Sequence, residues 1–119
     1  PGVPEINYHV IDDRPFYIDD IQVVPIPVLH YKMPVLGFRI GNFAYITDAK
    51  TIPASSMERL KGVEYLVINA LRKELHMSHF NLEEALTMIA RIQPKSAFLT
   101  HIGHQMGLSG KISIRYPGN

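Results

Sequence analysis

The sequence predicts a mixed α/β or α+β domain. Short apolar runs of strand length fill residues 6–47. Beyond Thr47 such runs alternate with stretches at helical spacing. The chain has 119 residues and is 46% hydrophobic against 19% charged, which suits one domain around one core.

Residues 6–11 alternate in the manner of a strand, and Asp12-Asp13-Arg14-Pro15 supplies turn chemistry after them. Residues 16–18 and 21–29 read as extended. Pro25 and Pro27 have no amide hydrogen, so the second run belongs at a sheet edge or a bulge. Residues 35–40 and 43–47 are short strands joined through Gly41-Asn42, a tight-hairpin signal. A short helix is predicted over about 55–60, capped by Thr51 or Ser55 and ended by Gly62. Residues 65–68 are near-continuously apolar, the pattern of a strand buried on both faces. Residues 72–77 are polar and irregular. Asn81 then caps a second helix, with Glu83 and Glu84 in the first turn where the helix dipole favours acids. Leu82, Ala85, Leu86, Ile89 and Ile92 share one face of it, and Pro94 ends it. Residues 97–100 are the last strand. Residues 108–119 are expected to be loosely ordered, and 1–119 is taken as a single, partial domain.

The chemistry sits at the boundaries of these elements. Residues 96–104 read Ser-Ala-Phe-Leu-Thr-His-Ile-Gly-His, an apolar strand that breaks into a His-x-x-His pair, His101 and His104. His30 follows the run 21–29, and Asp48 follows 43–47. His79 lies just before the Asn81 cap, where free amides and positive potential favour an anion such as phosphate. A single histidine is ordinarily a surface or satisfied core residue, and His9 and His76 fit that description. An aspartate after a strand ordinarily caps the turn. But His30, Asp48 and His101 each directly follow an apolar strand. If those strands are neighbours, their ends converge on one edge. Imidazoles with one carboxylate suit zinc, manganese or iron. The two oxygens of Asp48 can bridge two cations, and such a pair stabilises the entering and leaving oxygens of a phosphodiester.

Composition excludes other classes. Lys plus Arg is 12 and Asp plus Glu is 11, a net charge of +1, so no general polyanion-binding surface is expected. There is no cysteine, which removes disulfides, thiolate metal sites and cysteine nucleophiles. That fits a reducing compartment, and a cytoplasmic location is expected. No apolar run approaches the roughly 18 residues of a membrane span, and the first residues lack the features of a signal peptide, so no membrane association is expected.

Four segments sharpen the picture: Val28-Leu29-His30-Tyr31-Lys32, Tyr45-Ile46-Thr47-Asp48-Ala49, Ser78-His79-Phe80-Asn81-Leu82 and Leu99-Thr100-His101-Ile102-Gly103-His104-Gln105-Met106. In this order and spacing the sequence resembles the C-terminal half of the metallo-β-lactamase-fold hydrolases. It is most similar to the phosphodiesterase branch that includes ribonuclease Z and the cyclic-phosphate phosphodiesterase of phosphonate breakdown. The likeness spans about residues 6–107. It implies half of an αββα sandwich, with a mixed sheet and two main helices. It implies His30 on a first metal, Asp48 bridging two metals and His101 on the second. His79 would be the catalytic residue that contacts phosphate and protonates the leaving oxygen. His104 would face substrate or support the ligands, and Thr100 would support them through a hydrogen bond. The implied reaction is hydrolysis of a small phosphodiester or nucleotide-like substrate by metal-bound hydroxide, with two divalent ions, zinc or manganese, in the complete enzyme.

The family's His-x-His-x-Asp-His motif is absent, and no His-x-His occurs in the chain. Each cation would then keep two protein ligands here, where a catalytic zinc usually has three. The expectation is an incomplete site and a chain inactive, or nearly so, by itself. Half a sandwich also leaves an apolar sheet face uncovered. That implies a missing N-terminal half, a homodimer, or a piece trimmed from a longer gene; the last is favoured because the chain opens without Met. The alternatives are a metal-free interaction domain and a small mononuclear metal protein using His101, His104 and one further ligand.

Overall fold

The computed structural model describes residues 5–70, 80–100 and 113–115. The elements are β1 (Phe16–Ile18), β2 (Ile21–His30), β3 (Met33–Ile40), β4 (Phe43–Ile46), α1 (Ala54–Arg59), β5 (Tyr65–Asn69), α2 (Leu82–Ile92), β6 (Ser96–Thr100) and β7 (Ser113–Arg115). The strands form one sheet in chain order. Pairing is antiparallel from β1 to β4, parallel from β4 to β6, and antiparallel again between β6 and β7. The mixed α/β class is as expected.

Both helices cross between parallel strands and bury one sheet face. Ile26, Val28, Ala44, Ile46, Leu66, Ile68, Ala97 and Leu99 from the sheet cluster with Leu60 of the α1 turn and with Ala85 and Ile89 of α2. Asn81 caps α2 as predicted, and its side chain accepts from the Glu84 N–H at 2.7 Å. The Glu84 carboxylate returns the favour to the Asn81 N–H at 3.0 Å, completing a capping box. Leu86 departs from the predicted face and is 37% exposed, while Met88 packs against the core.

The opposite face carries no helix among the described residues. Ile40, Phe43, Tyr45 and Tyr65 are aligned across it by the β3–β4–β5 register and are all exposed. Val67 and Phe98 continue the stripe through β5 and β6. That is the uncovered apolar face expected of half a sandwich.

Several expectations need correction. Residues 5–12 form no regular structure. Tyr8 is 86% and Val10 102% exposed, so the alternation of residues 6–11 meets neither a neighbouring strand nor a core. β2 runs through His30 and turns directly into β3 at Tyr31-Lys32, with Tyr31 at φ 57°, so β3 starts at Met33 and not at Val35. Neither Thr51 nor Ser55 caps α1; its N-cap is Pro53, which makes no side-chain cap bond. Thr51 is instead bridged to Leu29. Within the tail expected to be loosely ordered, Ser113–Arg115 pairs with β6.

Pro25 and Pro27 sit where the edge-strand argument places them. β1 pairs only with residues 21–23 of β2, so the edge beyond is open to the loops and α1. There Arg59 donates to the Pro25 carbonyl at 2.7 Å, and the Ser56 hydroxyl donates to the Pro27 carbonyl. Since both carbonyls face away from β3, an amide at either position would face away too, and the ladder loses no donor.

Candidate functional site

The pairing pattern decides which strand ends meet. β2 is antiparallel to β3, and β3 to β4, so β2 and β4 point the same way. β5 and β6 are parallel to β4. The C-terminal ends of β2, β4, β5 and β6 therefore share one edge of the sheet. His30 is the last residue of β2, Asp48 lies two residues past β4, and Thr100 is the last residue of β6.

Main-chain bonds bring the first two of these ends together. The Leu29 carbonyl accepts from Lys50 N–H at 2.7 Å and from Thr51 N–H at 3.2 Å, and Leu29 N–H donates to Thr51 at 2.9 Å. The loop after Asp48 thus lies alongside the end of β2, next to His30. Asp48 itself is exposed and has φ 57°. That left-handed conformation suits Asp better than most residues. His30 is half-buried.

Behind Asp48 lies a buried polar network that sequence reasoning missed. Asn69, fully buried at the end of β5, accepts from Ala49 N–H and donates to Ala49 C=O, both at 3.0 Å. The same carbonyl accepts Phe80 N–H at 2.9 Å. Lys50 donates to both carboxylate oxygens of Glu84 at 2.7 and 2.8 Å. Burial raises the Glu84 pKa, but the hydrogen bond from Lys50, the Asn81 N–H and the Lys50 charge outweigh it, and the net shift is downward. The Asp48 loop is therefore tied to the start of α2. The signal for Asn69 was present: a polar residue ends the apolar strand of residues 65–68, just as Asp48 follows its own.

Thr100 contributes its carbonyl to Ala70 N–H at 2.9 Å. It also lines a depression of about 400 Å³ with Phe43, Tyr45, Val67 and Phe98, on the uncovered side of the sheet. His79, His101 and His104 lie outside the described residues. His101 follows Thr100 directly in the chain, and His79 precedes Phe80.

Comparison with known proteins gives this edge a family. Residues 2–102 match the model of the beta-lactamase superfamily domain. The chain belongs to the metallo-β-lactamase superfamily. A diphosphatase of the PhnP family shares the fold with a TM-score of 0.80 and 26% identity, over 91% of this chain and 50% of that one. This neighbour agrees with the resemblance to the phosphodiesterase branch. The metallo-β-lactamase fold protein YhfI of Bacillus subtilis matches with a TM-score of 0.62 and 14% identity, over 79% of this chain and 42% of that one, a likeness of fold. An octanoyltransferase of Porphyromonas gingivalis (strain ATCC BAA-308 / W83) is 37% identical over 110 residues, 91% of this chain but 22% of its own length. This superfamily member thus spans about a fifth of that relative and half of the diphosphatase.

The superfamily implies divalent metal. The donor chemistry at the edge fits: His30 offers an imidazole and Asp48 a carboxylate, both suited to zinc or manganese. Among the described residues no group of three or more His, Cys, Asp or Glu side chains is arranged to hold an ion. Among them, too, no helix is long and apolar enough to cross a membrane.

Proposed function

We propose that this domain is the C-terminal part of a metal-dependent phosphodiesterase acting on a small phosphodiester or nucleotide-like substrate. The observation that carries the proposal is the shared edge: β2, β4 and β6 point the same way, and His30, Asp48 and Thr100 stand at or just beyond their ends. The likeness to a PhnP-family diphosphatase supports phosphoryl chemistry at that edge.

In this proposal His30 and Asp48 hold divalent cations, with His101 as a further ligand. A bound cation would supply Lewis-acid activation of a phosphoryl oxygen. His79 steadies the phosphate and delivers a proton to the leaving oxygen, which lowers the barrier to P–O cleavage. His104 and Thr100 support these groups. Two partners per cation leave the site short, so the domain needs further ligands from outside residues 1–119 and has little activity alone. The exposed stripe of Ile40, Phe43, Tyr45 and Tyr65 is where a second sheet would pack.

The test uses the full natural polypeptide that carries this domain, with bis(p-nitrophenyl) phosphate as substrate and metal content measured in parallel. Asp48→Ala and His30→Ala are each expected to lower turnover by about 100-fold or more and to reduce bound metal. Full turnover with Asp48→Ala would exclude the bridging role.

A further inference from the structure

We propose that Asn69 is the positioning residue that sets the Asp48 turn at the sheet edge, an inference that rests on the functional reading above. Asn69 ends β5 and is 0% exposed. Its side-chain amide engages both main-chain groups of a single residue, Ala49, as an accepting Oδ1 and a donating Nδ2. In effect the amide acts as an extension of β5 that reaches the chain three residues past the end of β4 at Ile46.

That extension acts on Asp48 directly, because Asp48 precedes Ala49. Asp48 holds φ 57°, a conformation that carries an intrinsic penalty and persists only where its surroundings enforce it. Two supports flank it. Leu29 grips Lys50 and Thr51 from the β2 side, and Asn69 grips Ala49 from the β5 side. The Ala49 carbonyl is shared with Phe80 N–H, so the same amide also fixes the chain directly after His79. A single buried group thus adjoins the segments next to two residues assigned to the site, Asp48 and His79, while the Leu29 main chain ties the same loop to the segment that carries His30. An aliphatic side chain at position 69 would take from the buried Ala49 N–H its Asn69 acceptor and leave the Ala49 carbonyl with Phe80 N–H.

Amide exchange followed by NMR, with Mn²⁺ affinity by calorimetry, tests this on the same natural polypeptide. In Asn69→Leu the Ala49 amide is expected to lose protection by about tenfold or more while α2 and β6 amides keep theirs. Mn²⁺ affinity is expected to fall about 10- to 100-fold, the usual effect of removing a group that orients a ligand. Ser56→Ala is the control, since it removes another buried hydrogen bond away from the turn; its Mn²⁺ affinity is expected to stay at the unaltered level. Where Asn69→Leu does not fold, Asn69→Asp carries the test through Mn²⁺ affinity, because it keeps the acceptor for Ala49 N–H and loses the donor to the Ala49 carbonyl; a smaller loss of affinity is then expected. Retained Ala49 protection in Asn69→Leu, unchanged affinity in Asn69→Asp, or an equal affinity loss in Ser56→Ala overturns the positioning role. If the unaltered protein takes up no Mn²⁺, the functional reading fails, and the exchange at Ala49 alone decides whether Asn69 sets the turn.

Discussion

Leu29 and Thr51 exchange main-chain hydrogen bonds in both directions, at 2.9 and 3.2 Å, although Thr51 belongs to none of the named strands of the sheet. This isolated bridge couples the residue before His30 to the loop that follows Asp48. Thr51→Pro removes one of its donors. The variant is expected to lose about 1 kcal/mol of stability in urea titration. Its metal affinity is expected to fall as well, because the ends of β2 and β4 lose a tie.

Glu84 makes a prediction for acid. Its carboxyl is held below its ordinary value of 4.5 because the Lys50 and Asn81 contacts overcome the opposing effect of burial. A carboxyl depressed in the folded state stabilises the protein above its unfolded pKa, and the contribution fades as pH falls through the folded value. Glu84→Gln keeps an acceptor for Asn81 N–H but removes the charge. Unfolding from pH 7 to 3 is expected to show the variant less stable above about pH 5 and converging on the parent in more acid solution.

Gly37 and Gly41 are expected to resist alanine for different reasons. A Cβ at Gly37 would stand 2.9 Å from the Tyr45 carbonyl oxygen and 3.1 Å from Ile46 Cγ1, inside the β3–β4 pair. Gly37→Ala is expected to lose about 1–3 kcal/mol, as overpacking does. Gly41→Ala meets nothing within 4 Å but must hold φ +56°, which costs about 1–2 kcal/mol. Thermal unfolding of both variants measures these losses.

Two residues on α2 separate helical spacing from burial. Ile89 is fully buried, and Ile89→Ala is expected to lose about 2–5 kcal/mol. Leu86 is 37% exposed, and Leu86→Ala is expected to stay within about 0.5 kcal/mol of the parent. Chemical denaturation of the pair checks the assignment.

The strand ends were legible because punctuation in the sequence was strong. Gly41-Asn42 marked the β3–β4 hairpin, and Asn81 with Glu84 marked the start of α2. His30 and Asp48 stood out as polar residues after apolar runs. Residues 6–11 misled because alternation reports a half-buried strand only where a neighbour exists to pair with it. Leu86 misled for a related reason: periodicity gives a face, but not how far the sheet extends beneath it. Asn69 was overlooked because its role depends on Ala49, twenty residues earlier. Local pattern does not reveal which main-chain groups a strand end will meet.

The two prolines of β2 have a bearing on how the molecule behaves in a crowd. An unguarded strand edge invites a foreign strand to add to it, the first step of fibril growth. Along the middle of β2 the prolines offer no amide hydrogens, and their carbonyls are already engaged by Ser56 and Arg59. A stranger approaching this border would find little to bind. Templated aggregation, were it to occur, would have to start elsewhere on the domain.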